Sequence, residues 1–247
     1  MVMAEKIRLQ KFLSDAGILS RRSAEAEISK GAITINGHVA TLGAKVDPKS
    51  DVIAWKGKRI HAKAQKPVYI LMNKPRGYLC AVSDERGRKC VTELLVGVKE
   101  RVYPVGRLDL ISEGILLLTN DGELTNRLTH PSYEIPKLYR VKVEGSVSAD
   151  QLTILSSSLD IDGYRIRPAT VDIHNIGEED TTLSITICEG RNRQIRKMCE
   201  QAGLTVKRLN RISIGQLKLN GLPVGKWRYL DPKEIEYLYR TTHLKTK

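Results

Sequence analysis

Two stretches of the 247-residue chain set charged groups among apolar residues in a pattern that could do chemistry. The first runs Tyr103-Pro-Val-Gly-Arg-Leu-Asp-Leu-Ile-Ser-Glu-Gly114, with Asp109 between Leu108 and Leu110 and Arg107 two residues before it. Leucines on both sides draw the segment inward. A carboxylate taken inward costs several kcal/mol unless a cation or several donors meet it. The plainer alternative is a loop aspartate that caps the next element. The second stretch is Glu189-Gly-Arg-Asn-Arg-Gln-Ile-Arg-Lys197. It crowds Arg191, Arg193, Arg196 and Lys197 into the first turn of an expected helix, where the helix dipole disfavours cations. That placement makes sense if a phosphate or carboxylate binds there. A solvated basic face would leave it unexplained.

Other chemistries lack their signatures. No G-x-G-x-x-G follows a strand, and there is no Walker A sequence and no H-E-x-x-H. A zinc deaminase needs His-x-Glu with a later P-C-x-x-C, and neither occurs. The 5 histidines are scattered, so no metal and no dinucleotide cofactor is expected. Cys80, Cys90, Cys188 and Cys199 show no CxxC spacing and read as reduced intracellular thiols. An enzyme of this composition works with acids, bases and arginines.

The charge points to the substrate. Lys and Arg number 41 against 28 acids, a net +13, which implies a polyanionic partner. A membrane is the weaker choice. No apolar run nears the roughly 20 residues a span needs, and the start MVMAEKIRLQ lacks a signal-peptide core. A cytoplasmic nucleic-acid-binding protein is expected, by default a monomer. Aromatics are only 5% of the chain, too few for a platform that stacks many single-stranded bases. Residues 1–66 hold 13 Lys/Arg and 6 Asp/Glu, so more than half the surplus sits in about a quarter of the length. A small basic module precedes a larger, more balanced one.

The elements that must position these groups can be read from spacing. Leu9, Phe12, Leu13 and Ala16 form one face of a short helix that Gly17 can end, and Ser20 can cap a second helix through Lys30. Ile33 and Ile35 alternate before the tight turn Asn36-Gly37, and Val39 resumes the return strand. Arg8, Lys11, Arg21, Arg22 and Lys30 lie on the polar sides of the helices, as a phosphate-contacting face would. Residues 56–67 read as a basic linker, with the boundary near 63: domains 1–63 and 64–247. In the larger module, Val68–Met72 and Ile115–Thr119 read as buried strands, and Glu123–Thr129 as a helix. Tyr139, Val141 and Val143 alternate, as do Leu183, Ile185 and Ile187. Ser148 can cap a helix carrying Leu152, Leu155 and Leu159, and 192–202 is expected to be helical. Asp231-Pro232-Lys233-Glu234 starts a last helix. With no βαβ rhythm, α+β with a mainly antiparallel mixed sheet fits best.

Two resemblances carry this further. IRLQKFLSDAGILSRRSAEAEISKGAITINGHV resembles an S4 RNA-binding domain over residues 6–53. NKPRGYLC, GRLDLISEGILLLTNDGELTNRLTHPS, KLYRVKV and EGRNRQIRKM, in that order, resemble the RsuA/RluB family of ribosomal RNA pseudouridine synthases. The resemblance implies a catalytic domain of that type behind the S4-like domain, working without a cofactor. It implies that uridine is isomerised in place: the N1–C1′ bond breaks, the base turns, and a C5–C1′ bond forms. Asp109 then matches the family aspartate, as nucleophile at C1′ or as base for the 2′ proton. Arg196 matches its salt-bridge partner, and Tyr139 the tyrosine that stacks on the target base. Ile195 becomes an apolar wall, and Arg107, Arg191, Arg193 and Lys74 candidate phosphate contacts. The match is closest to the branch acting on large-subunit (23S) RNA. A small-subunit (16S) target and a non-catalytic RNA-binding assembly factor are the alternatives. The expected partner is ribosomal RNA or a ribosomal precursor.

Overall fold

The structure, a computed structural model, describes residues 6–61 and 65–244; the first five residues and 62–64 of the expected linker lie outside the described residues. Two compact units divide ahead of Val68, apart from Lys99–Arg101, which group with the smaller one.

In the smaller unit the apolar spacing forms what it predicts. β1 (Ile7–Arg8) leads into α1 (Leu9–Asp15), which buries Leu9, Phe12 and Leu13. α2 (Arg21–Ser29) buries Ala24 and Ile28, and the Ser20 hydroxyl accepts from the Ser23 amide as its N-cap. β2 (Ile33–Ile35) turns through Asn36 and Gly37, both at positive φ (50° and 85°), into β3 (His38–Val39). That hairpin is only half of its sheet. β4 (Lys45–Val46) pairs with β1, while β5 (Ile53–Trp55) and β6 (Lys58–Arg59) extend the order to β3-β2-β5-β6. Strands of two or three residues (KV, IAW and KR) are too short to show a periodicity from which to read them.

The larger unit is built on a nine-stranded sheet. β7 (Tyr69–Lys74), β8 (Tyr103–Val105) and β9 (Glu113–Thr119) come first, followed by α3 (Gly122–Thr129). β10 (Lys137–Glu144) and α4 (Ala149–Ser156) follow, then the small hairpin of β11 (Asp160–Ile161) and β12 (Tyr164–Arg165). β13 (Thr170–Ile176), β14 (Asp180–Ile187) and α5 (Gln194–Gln201) lead to β15 (Val206–Ile214). β16 (Leu217–Lys218), β17 (Trp227–Tyr229) and α6 (Pro232–Thr241) complete it. The strand order is β13-β14-β10-β15-β9-β7-β17, with β16 on β15 and β8 on β9. Every pair is antiparallel except β15 with β9. The mixed, mainly antiparallel α+β sheet is therefore as expected.

Two helices differ from the sequence reading. α4 ends at Ser156, so Leu159 lies beyond it, though still packed on the same core. α5 begins at Gln194, with Arg193 at its N-cap in the left-handed region (φ 51°). Arg191 and Arg193 therefore occupy the turn before the helix, and only Arg196 and Lys197 lie in its opening turns. The unfavourable dipole placement is milder than the spacing suggested.

Candidate active site

The loop 106–112 is the point where a carboxylate must be held among apolar residues. Backbone bonds fix it. Gly106 (φ 72°) turns the chain out of β8, and the Leu108 amide donates to Cys80 Sγ at 3.2 Å. The Gly77 amide donates to the Leu110 carbonyl at 2.8 Å, and the Ser112 amide to the Asp109 carbonyl at 3.0 Å. Beneath the loop lies Lys74, fully buried. Its ammonium donates to the carbonyls of Pro75 (3.0 Å), Asp109 (3.1 Å) and Ser112 (2.8 Å). Burial pulls its pKa down, against the raising influence of Cys80, Asp109 and Glu113. Lys74 is thus not a phosphate contact: it has no exposed surface and its three protons are engaged. It anchors the backbone that presents Asp109.

Presented this way, the Asp109 side chain stays 30% exposed. Its Oδ2 lies 3.7 Å from Arg196 Nε and 3.8 Å from Arg193 Nη1. Arg196 comes from α5, and its side chain is 11% exposed. Burial lowers its pKa first and Arg193 second, while Asp109 works the other way. Its Nε is buried without a hydrogen-bond partner, so the contact to Asp109 is an ion pair at longer than hydrogen-bond range. The turn before α5 is organised by Glu189, 5% exposed, whose Oε1 accepts from the Arg167 amide (3.0 Å) and Gln194 Nε2 (3.1 Å). Gln194 in turn accepts from the Arg191 amide at 3.0 Å. Arg191 stacks over the Tyr164 ring and lies 3.9 Å from Glu189 Oε2.

These elements enclose one cavity of about 150 Å3. Asp109, Tyr139, Arg107, Arg191, Arg193 and Ile195 all line it, so six residues singled out in the sequence converge on one space. Tyr139, on β10, is 7% exposed and its hydroxyl has no hydrogen bond among the described residues. A second cleft of about 460 Å3 also borders Asp109, with Arg88, Arg107, Arg191 and Arg193 on its walls. Asp109 borders both spaces.

Sequence reasoning missed Lys137 and Arg211, which also line the cavity. Arg211 is 3% exposed. Its signal was faint: a lone arginine in step with Leu209 on a strand that was not anticipated. Among the described residues, no group of three or more His, Cys, Asp or Glu could hold a metal ion, and no helix is long and apolar enough to cross a membrane.

In the smaller unit, Arg8, Lys11, Arg21, Arg22 and Lys30 are all exposed. Lys11 pairs with Asp15 (2.6 Å) and Lys30 with Glu27 (3.1 Å) on their own helices, and Arg8 donates to the Gly43 carbonyl at 3.0 Å. Arg21 and Arg22, in the first turn of α2, have no ion pair among the described residues.

A carboxylate flanked by arginines at a cavity that Tyr139 lines, in a chain that begins with a small basic unit, fits an RNA-modifying enzyme. The chain belongs to the RNA pseudouridylate synthase family, whose profile matches residues 68–201, and residues 7–53 match the S4 domain. It is 42% identical over 234 residues to the Ribosomal large subunit pseudouridine synthase B of Bacillus subtilis, covering 94% of this chain and 95% of that one. An uncharacterized RNA pseudouridine synthase of Aquifex aeolicus is also 42% identical, over 97% of this chain and 96% of its own. A solved pseudouridylate synthase crystal structure superposes with a TM-score of 0.68 at 27% identity, over 94% of this chain and 99% of that one. The protein is an RNA pseudouridine isomerase by family, with an S4 RNA-binding domain.

Proposed function

We propose that this protein converts a uridine of ribosomal RNA, in the large (23S) subunit, to pseudouridine. The observation that carries the reading is Asp109, at the rim of a cavity lined by Tyr139 and facing Arg193 and Arg196 within 4 Å. The ribosomal substrate is supported by the names of relatives from Bacillus subtilis and Vibrio cholerae, both called ribosomal large subunit pseudouridine synthase B. The target base leaves its stack and enters the cavity, as enzymes acting on a base require. Tyr139 and Ile195 hold its faces. Asp109 then either attacks C1′ or takes the 2′ proton, and the N1–C1′ bond breaks. One carboxylate suffices because no water enters the product, whereas glycoside hydrolysis needs an acid and a base. Atoms and electrons are conserved from uridine to pseudouridine, so the overall reaction consumes no co-substrate. Arg107, Arg191 and Arg193 border the second cleft and take the phosphates beside the flipped nucleotide, while the S4 unit grips structured RNA in the cytoplasm.

Asp109→Asn tests the assignment. The variant is expected to bind ribosomal RNA as the parent does while releasing no tritium from 5-labelled uridine; substantial pseudouridine from it would remove Asp109 from the chemistry. Carbodiimide mapping of both ribosomal RNAs, with and without the gene, tests the subunit. The expected difference is one large-subunit uridine, and a small-subunit site would overturn that choice.

A further inference from the structure

The pairing of β10 with β15 contains an irregularity beside the cavity. Tyr139 pairs with Arg211, Leu138 with Ser213 and Lys137 with Ile214, so Ile212 is an extra residue in β15. Bulges of this kind re-aim side chains next to active sites. Here the bulge allows Arg211 and Ile214, three apart, to share a face with Lys137 and Tyr139, two apart; all four line the cavity.

Two cations on that face have work left undone. Arg211 donates Nε to the Ile115 carbonyl at 2.9 Å, but its Nη2 is buried without a partner. Lys137 donates to the Ile135 carbonyl at 2.9 Å, and its other protons meet no acceptor among the described residues. Burial, followed by the charge of Arg211, pulls the Lys137 pKa down to about 8. The acids of the cavity do not serve them: Asp109 faces Arg193 and Arg196, while Glu189 Oε1 is held by Arg167 and Gln194. Arg211 is buried and Lys137 half-buried, and a buried guanidinium with an idle donor is costly unless an anion meets it.

The isomerisation supplies such an anion. When N1–C1′ breaks, its electron pair stays on the ring, and C1′ is taken by the Asp109 carboxylate or becomes part of a glycal as Asp109 takes the 2′ proton. The ring then holds one negative charge over N1, O2 and O4. That pair later forms the C5–C1′ bond as the bond to Asp109 breaks, or as Asp109 returns the 2′ proton to the glycal; the C5 proton is then lost to water and N1 takes one up. We infer that Lys137 and Arg211 form a cationic wall that stabilises the detached uracil anion between bond breaking and bond making. Preorganised donors aimed at developing charge are the largest single source of catalysis in many sites. The inference rests on the pseudouridine synthase reading above.

Single-turnover kinetics on uridine RNA and on RNA with 5-fluorouridine at the target test it, using Lys137→Met and Arg211→Lys. Lys137→Met is expected to slow conversion of uridine by about 100-fold with unchanged RNA affinity and melting temperature. On 5-fluorouridine RNA, with glycosidic cleavage read by digestion and mass spectrometry, the defect shrinks because fluorine already stabilises the ring anion. Arg211→Lys keeps the charge but removes Nη2, and shows the same narrowing with a smaller defect; it carries the comparison should Lys137→Met fail to fold. Unchanged rates, equal defects on the two RNAs, or a loss confined to affinity would each overturn the inference. Parent protein that makes no pseudouridine overturns the functional reading with it. Pseudouridine from the parent beside an unaffected Lys137→Met overturns the inference alone.

Discussion

Replacing Lys74 by methionine separates an anchor from an RNA contact. Methionine keeps an unbranched apolar stem of similar reach but removes the ammonium that joins three carbonyls at 2.8–3.1 Å. The Asp109 carbonyl still accepts from the Ser112 amide, so two carbonyls, of Pro75 and Ser112, lose the donor that held them. At about 1–3 kcal/mol for each buried group left unpaired, the cost is about 2–6 kcal/mol. Relief of the buried ammonium's own desolvation brings this toward the lower half, about 3 kcal/mol. For a unit of this size that lowers Tm by about 6–12 °C, leaving the protein folded at 25 °C. The loop also loosens at the backbone of Asp109 itself. A misplacement of about 1 Å at a reacting group costs about 100-fold in rate. Near-ultraviolet circular dichroism melts and single-turnover tritium release at 25 °C read the two effects. A Lys74→Met protein with parental Tm and parental rate, but weaker RNA affinity and a shallower salt dependence, would refute the anchor and restore a phosphate contact.

Gly114 offers a second test. It sits opposite Arg211 in the parallel β9/β15 ladder at φ 107°, where a Cβ would run into the Arg211 backbone and Asn210 Oδ1. Gly114→Ala is expected to destabilise by about 2–6 kcal/mol from backbone strain and overpacking together, read by urea denaturation. Gly190→Ala, with nothing within 4 Å of the new methyl, should unfold at the parental midpoint. In the S4 unit, Arg21→Ala with Arg22→Ala is expected to reduce the slope of log affinity against log salt by about 1–2 while sparing the rate at saturating RNA. An unchanged slope would show that α2 does not meet phosphate.

How far the chain could be read in advance follows from the range of each interaction. α2 was legible because Ser20, the apolar Ala24 and Ile28, and Gly31 are local signals within one helix. The buried strands β7 and β9 were legible because their apolar runs carry no competing pattern. β15 was not, since its charged residues break the alternation that marks a strand. Lys74 was misread for the same reason: a lysine beside a proline and an arginine looks like surface, and nothing local says that a loop 35 residues away will close over it.

By itself the sequence determined the chemistry on offer: one carboxylate among leucines, arginines massed at the start of a helix, and a basic surplus concentrated at one end. Side-chain type and local spacing fix those. The tertiary structure alone decided which cations serve which anion. It set Arg193 at Asp109 beside the Arg196 that the resemblance had implied, buried Lys74 beneath the loop, and used a bulge in β15 to bring Arg211 beside Lys137. Charge pairing depends on distance and on exclusion of water, and both are set by strands that meet only after the chain has folded.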